Sequence, residues 1–272
     1  MKLGIGSYTY TWAVGVTGRE PTEPMTAIRL VERAAELSVP LVQICDNLPL
    51  DSLSDDELDA VGRRAQELGI EIEIGTRGAE PAHLRAYLKL ASRLDSALVR
   101  VVVDKGDHRP DEEEVVSLVR EVIPEFERQG VVLAIENHDR FPARTLAHIV
   151  ERIASPSAGI CLDTVNSFGA MEGPDAVIDA LAPHTVNLHV KDFTIRRLDH
   201  QMGFIIEGTP AGRGRLDIPR LIERIRAAGR DPNAVIELWT PPEHDIAATV
   251  AKEDAWARES VDYMRALVDS GQ

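Results

Sequence analysis

The chain has 272 residues, 44% of them hydrophobic, and a formal net charge of −15. That length suits one large domain, close to the roughly 250 residues of a typical (β/α)8 barrel, and the apolar share is ordinary for a packed core. The negative balance argues against a nucleic-acid partner, because phosphate backbones are bound by a basic face.

Lys2–Gly6 reads as a first strand, starting at once after Met1. No run is apolar and long enough for a signal sequence or a membrane span, so a cytoplasmic protein is expected. A loop with Ser7, Tyr8, Tyr10 and Trp12 follows; Tyr8 and Trp12 suit a pocket wall or the core. Thr22–Leu37 reads as a helix with Ile28, Val31, Ala35 and Leu37 as its apolar positions. Leu41–Cys45 is the second strand, with Gln43 near its end. Ser54 and Glu57 form a capping box for a helix that stops at Gly69. Ile70–Gly75 (IEIEIG) is the third strand, with Arg77 at its tip, and Pro81–Leu94 the next helix. Leu98–Val103 is the fourth strand. Asp111 begins a helix with an acidic first turn, as the helix dipole favours, and it ends at Gly130.

Four apolar runs follow, each ending in a metal-capable side chain. They are Val131–His138 (VVLAIENH), Gly159–Asn166 (GICLDTVN), Val186–Asp192 (VNLHVKD) and Ala234–Trp239 (AVIELW). A helix near Thr145–Ile153 separates the first pair, and one opened by Pro174 separates the second. Phe193–Arg215 breaks the rhythm. It has no helical period, carries Arg196, Arg197, Arg213 and Arg215 with four glycines, and reads as a long functional loop. Asp217 starts a helix to Gly229, and an amphipathic helix covers Ala247–Leu267. Cys45 and Cys161 lie in apolar runs and read as reduced core thiols.

Strands alternating with helices along residues 1–272 imply parallel strands and right-handed crossovers. A single-domain closed (β/α)8 barrel, a TIM barrel, is the reading. The rival, an open doubly wound sheet, lacks a glycine-rich phosphate loop after its first strand. In such a barrel the active site forms at the C-terminal ends of the strands. Glu136, Asp163, His189 and Glu237 end four consecutive strands there. Three carboxylates and an imidazole make a divalent-metal site, for Mn²⁺ first and then Mg²⁺, Co²⁺ or Zn²⁺. A metal that chelates a carbonyl and a neighbouring hydroxyl acidifies the adjoining C–H and stabilises an enediolate. Lys191, two residues after His189, shares its strand face and is a candidate for holding an anion or protonating an enolate. His138 faces the same side as Glu136. Gln43 and Arg77 sit at other strand tips and suit the rim.

The order ENH, LDTVN, HVKD and a final strand-end Glu237 resembles the xylose isomerase-like barrel superfamily of sugar phosphate isomerases and epimerases. The resemblance covers essentially the whole chain. It implies Glu136, Asp163, His189 and Glu237 as metal ligands, Glu136 and Glu237 as an acid/base pair, and a sugar or sugar-acid substrate. Two departures from the ketose epimerase pattern stand out. Asn166 occupies the position where those enzymes carry a substrate-holding His, and Ile195 the position of their Arg, with Arg196 and Arg197 just beyond. The segment KDFTIRR…MGFIIEGTPAGRGRLD is also similar to a branch of the superfamily, the 3-oxo-isoapionate decarboxylases, and that implies a lyase acting on a 3-oxo acid. Lys191, Arg196, Arg197 and Arg213 are then expected to select an anionic group, with Gln43, His138 and Asn166 as further substrate contacts. A non-catalytic sugar-binding module is the reading from a different class. A zinc-dependent apurinic endonuclease, carried by the same fold, needs a richer His set than this chain has. A homo-oligomer is compatible with all of these.

Overall fold

Eight strands do close into a parallel barrel. The computed structural model describes residues 1–269. The barrel strands are β1 (Leu3–Gly6), β2 (Leu41–Ile44), β3 (Glu71–Arg77), β4 (Leu98–Val102), β5 (Val132–Glu136), β6 (Ala158–Asp163), β7 (Thr185–Val190) and β10 (Asn233–Ile236). Their order around the barrel is β1-β10-β7-β6-β5-β4-β3-β2. The helices are α1 (Thr11–Val14), α2 (Ala27–Glu36), α3 (Asp55–Leu68), α4 (Pro81–Arg93), α5 (Glu112–Gln129), α6 (Ala143–Ile153), α7 (Pro174–Leu181), α8 (Ile218–Ala227) and α9 (Ile246–Asp269). The expected caps are in place. Ser54 and Glu57 exchange bonds at the start of α3, the Asp111 side chain accepts from the Glu114 N–H, and Gly69 closes α3 in the left-handed region at φ +66°.

The main core lies between the strands and the surrounding helices. Outward residues such as Val42, Ile44, Ile74, Val99 and Ile135 are fully buried against the helix faces. The inward residues differ, because alternation along each strand sends the polar set inside: Gln43, Glu73, Arg100, Glu136, Asp163, Asn187 and His189 are all buried. Small residues make room for them. At Gly75 a Cβ would meet Cys45 Sγ at 2.6 Å and the Arg100 side chain at 3.3 Å. The glycine that ends IEIEIG is therefore a space requirement for Cys45 and a buried arginine.

Three local expectations are corrected. Helix α2 begins at Ala27 and not at Thr22; Pro24 precedes it, and the Thr26 side chain caps it by accepting from the Arg29 N–H at 3.2 Å. The loop after β1 is a 3-10 turn over Ser7–Tyr10 running into α1. Most of the expected 193–215 loop is an antiparallel hairpin of β8 (Asp192–Arg197) and β9 (Phe204–Thr209). The glycines that follow serve packing. The Asp192 carboxylate accepts from the backbone N–H groups of Phe193, Gly212, Gly214 and Leu216 at 2.8–3.1 Å, so the chain winds around it. A side chain at Gly214 would overlap that carboxylate, and one at Gly208 would overlap the Trp239 backbone. Cys45 and Cys161 are free and buried, as expected.

Candidate active site

Glu136 ends β5, Asp163 ends β6, His189 is the penultimate residue of β7, and Glu237 directly follows β10. All four are buried, at 0–2% exposure, and they converge. His189 Nδ1 lies 3.2 Å from Glu237 Oε1, 3.6 Å from Glu136 Oε2 and 3.8 Å from Asp163 Oδ2.

The hydrogen bonds around His189 set its tautomer. Glu73 Oε2 accepts from the Gln43 amide at 3.0 Å and the Asn187 amide at 2.8 Å, and Glu73 Oε1 accepts from Asn233 at 2.8 Å. The Gln43 amide nitrogen also donates to Asn187 Oδ1 at 3.0 Å. Gln43 therefore presents its oxygen to His189 Nε2, at 2.7 Å, and that nitrogen must carry the proton. Nδ1 is left facing the carboxylates with no hydrogen-bond partner, as are both oxygens of Glu237. Orphaned buried acceptors of this kind are costly unless something fills the space between them.

That donor set fits a divalent cation. The ligand atoms of Asp163, His189 and Glu237 lie within 4.8 Å of one another, and those of Glu136, Cys161 and His189 meet the same condition. Burial pushes the Cys161 thiol well above its usual range, and its Sγ donates to Asn187 Oδ1 at 3.3 Å, in the layer beneath. Glu136 belongs with the oxygen and nitrogen donors, and Cys161 packs below.

Lys191 reaches the same centre. Its Nζ donates to Asp163 Oδ2 at 2.7 Å and lies 2.8 Å from Glu237 Oε2, outside hydrogen-bonding direction. Burial alone would favour the neutral amine, but the Asp163 and Glu237 carboxylates outweigh it and hold Lys191 protonated, above its ordinary value. Asn166 donates to Glu136 Oε1 at 2.7 Å, and Arg100 Nε donates to Glu136 Oε2. Burial alone would raise the Glu136 carboxyl; Arg100, then His189 and Lys191, hold it well below the usual carboxylate range.

Above these groups opens a pocket of about 410 Å³. Tyr8, Trp12, Arg77, His138, Asn166 and Lys191 are among its lining residues. Trp12 is held from two sides. Its indole N–H donates to the Thr240 carbonyl at 2.8 Å, and its backbone N–H and that of Ala13 donate at 3.0 Å to the two oxygens of Glu253, buried on α9.

The structure brings Glu136, Asp163, His189, Glu237, Lys191, Asn166 and His138 together, and leaves the other expected contacts outside. Gln43 is fully buried one layer below the pocket and supports His189. Arg196 is half exposed on the hairpin and pairs with Glu207; Arg197 donates to the Gln201 carbonyl and lies over Phe204; Arg213 is two-thirds exposed and pairs with Glu259. None of the three lines the pocket: the hairpin turns Arg196 toward Glu207 and Arg197 toward Gln201 and Phe204, and Arg213, beyond the hairpin, reaches Glu259 on α9. Asp46 and Arg100 were missed. The one available signal was Arg100 itself, the single charge inside the apolar run Leu98–Val102, where an ion must find a partner.

Residues 31–267 match the family described as Xylose isomerase-like TIM barrel. A 3-oxo-isoapionate decarboxylase of Pectobacterium atrosepticum is 36% identical over 264 residues, 97% of this chain and 95% of that protein. Among solved structures, a D-psicose 3-epimerase with D-tagatose from Clostridium cellulolyticum is similar at TM-score 0.73 and 18% identity, covering 98% of this chain and 99% of that one. A xylose isomerase-like TIM barrel protein from Mycobacterium smegmatis in complex with magnesium is similar at TM-score 0.66 and 12% identity, covering 96% of each chain. At such identities these two likenesses speak to the fold alone.

Proposed function

We propose, since this chain belongs to the xylose isomerase-like TIM barrel family, that its site decarboxylates a 3-oxo sugar acid with the help of a divalent cation. One observation carries the choice of reaction: Arg100 and Asn166 each donate to one oxygen of Glu136, which leaves lone pairs for a cation but holds the carboxylate in its charged form. Epimerisation or isomerisation through an enediolate, the first expectation from the residue pattern, needs two acid/base groups to take and return the proton. A carboxylate held ionised by a buried guanidinium has little proton affinity for that work. Decarboxylation needs no base. It needs an electron sink and a proton donor. The 36% identity to a 3-oxo-isoapionate decarboxylase supports the same choice.

Glu136, Asp163, His189 and Glu237 would hold the cation, with Mn²⁺ as first candidate; when bound it supplies Lewis-acid stabilisation of the developing enolate oxygen. The chain's own groups do the rest. His189 is aligned by Gln43 and Glu136 by Arg100. As the bond between the carboxylate carbon and the α-carbon breaks, its electron pair moves toward the 3-oxo oxygen and CO2 leaves. The Lys191 ammonium then gives the α-carbon the proton that replaces CO2 and is reprotonated from water.

The test supplies Mn²⁺-loaded protein with 3-oxo-isoapionate and, separately, with D-psicose in D2O. CO2 release from the acid and no epimer from the ketose is the expected result, and Lys191→Met lowers kcat/KM on the acid by roughly tenfold or more. An epimerised, deuterated ketose with no CO2 from the acid overturns the decarboxylase reading. No turnover of either leaves the sugar-binding module as the better account.

A further inference from the structure

We infer that Arg77, oriented by Asp46, is the anchor for a carboxylate group of the ligand, which makes one wall of the pocket a carboxylate subsite. This rests on the reading above for the ligand being an acid; the choice of residue comes from which cations in the pocket are still uncommitted. In a chain of net charge −15, the pocket is lined by Arg77, Arg100 and Lys191 against the carboxylates Glu136 and Glu237. Lys191 is held between Asp163 and Glu237. Arg100, buried, is consumed by Glu136, by Asp46 Oδ1 at 2.8 Å and by the Thr76 carbonyl at 3.3 Å.

Arg77 stands at the C-terminal end of β3 and is one-third exposed. It engages Asp46 Oδ2 through Nε at 3.2 Å, so its two terminal amino groups are the ones available to the pocket. A guanidinium fixed at one edge and free at the other is the form in which arginine grips a carboxylate. Asp46 makes the arrangement rigid. Besides the two arginines it accepts from Tyr8 Oη at 3.0 Å, so the wall formed by Tyr8, Arg77 and Arg100 is fastened at one carboxylate. Those three donors leave Asp46 no evident role as a ligand contact of its own. The partial exposure of Arg77 matters for a leaving carboxylate. A hydrated pair orients the group without the strong ground-state hold that would oppose its loss.

The test uses Mn²⁺-loaded protein and calorimetric titration with glycerate, a small hydroxy acid, and with dihydroxyacetone, its neutral counterpart. Arg77→Met is expected to weaken glycerate binding by about tenfold or more while dihydroxyacetone changes by less than about twofold, with Arg77→Lys intermediate for glycerate because it keeps the charge and loses the fork. Asp46→Asn is expected to weaken glycerate binding as well, because Arg77 loses the charge that orients it. Glycerate binding within about twofold of wild type in a folded Arg77→Met protein overturns the subsite. The two proposals separate cleanly. CO2 release from 3-oxo-isoapionate that is indifferent to Arg77→Met, in kcat and KM alike, sinks the subsite and leaves the reaction. Arg77-dependent glycerate binding without any CO2 release leaves the subsite and sinks the reaction.

Discussion

Gln43→Met tests whether the His189 tautomer is set from inside the barrel. Methionine is close in length to glutamine and keeps the volume, but it removes the acceptor for His189 Nε2–H at 2.7 Å and the donor to Glu73 and Asn187 at 3.0 Å. Leaving the buried imidazole donor unsatisfied costs about 1–3 kcal/mol. Glu73 keeps Asn187 and Asn233, so its loss is one donor among three, worth roughly 1 kcal/mol. The summed expectation is a loss of about 2–4 kcal/mol in stability. The effect on metal is separate. Without Gln43 the ring can place its proton on Nδ1, the nitrogen that faces the carboxylates, and supporting contacts of this kind typically change metal affinity by about 10–100-fold, or about 1.4–2.7 kcal/mol. Urea denaturation gives the first quantity, and Mn²⁺ titration of the folded variant gives the second. A Gln43→Met protein that is folded, destabilised as stated and unchanged in Mn²⁺ affinity would refute the tautomer argument, because the packing loss would then be the whole effect.

Three further outcomes are expected. Burial lifts the Glu253 carboxyl to about 7 in spite of the Trp12 and Ala13 N–H groups, from an ordinary value of 4.5. Between those pH values the folded chain holds a proton that the unfolded chain has released, so stability is higher at pH 5 and falls as pH rises through 7, by roughly 3 kcal/mol; denaturation curves at pH 5 and 7.5 check this, and Glu253→Gln should flatten the difference. Gly214→Ala drives a methyl into the Asp192 carboxylate and should cost roughly 1–3 kcal/mol, read as a lowered Tm with Mn²⁺ affinity unchanged. The double change Arg196→Ala and Arg197→Ala touches only exposed hairpin partners, so kcat/KM on an acidic substrate should stay within about twofold; a larger loss would return the hairpin to the site.

Some of this molecule could be read without its fold. A strand buried on both faces is written as an apolar run, so a carboxylate or imidazole at its end stands out, and Glu136, Asp163, His189 and Glu237 were legible for that local reason. The alternation of strand and helix carried the barrel in the same way, because each element's period is a property of neighbouring residues. Lys191 followed from its spacing to His189. Pairings across the chain are a different matter. Nothing near Arg100 in sequence says that its guanidinium meets Glu136 and Asp46, at separations of 36 and 54 residues, and so locks one half of the expected acid/base pair. Gln43 meets His189 across 146 residues, and Glu253 reaches Trp12 across 241. The hairpin arginines were misplaced for a related reason. An exposed arginine pairs with whichever acid the pairing register brings opposite, and the register Thr194↔Glu207, Arg196↔Ile205 sets Glu207 within reach of Arg196 and away from the pocket. The sequence alone determined which residues end the strands. Closure of the barrel decided which of them are already occupied, because charge pairing follows distance in space, and only the folded chain sets that distance.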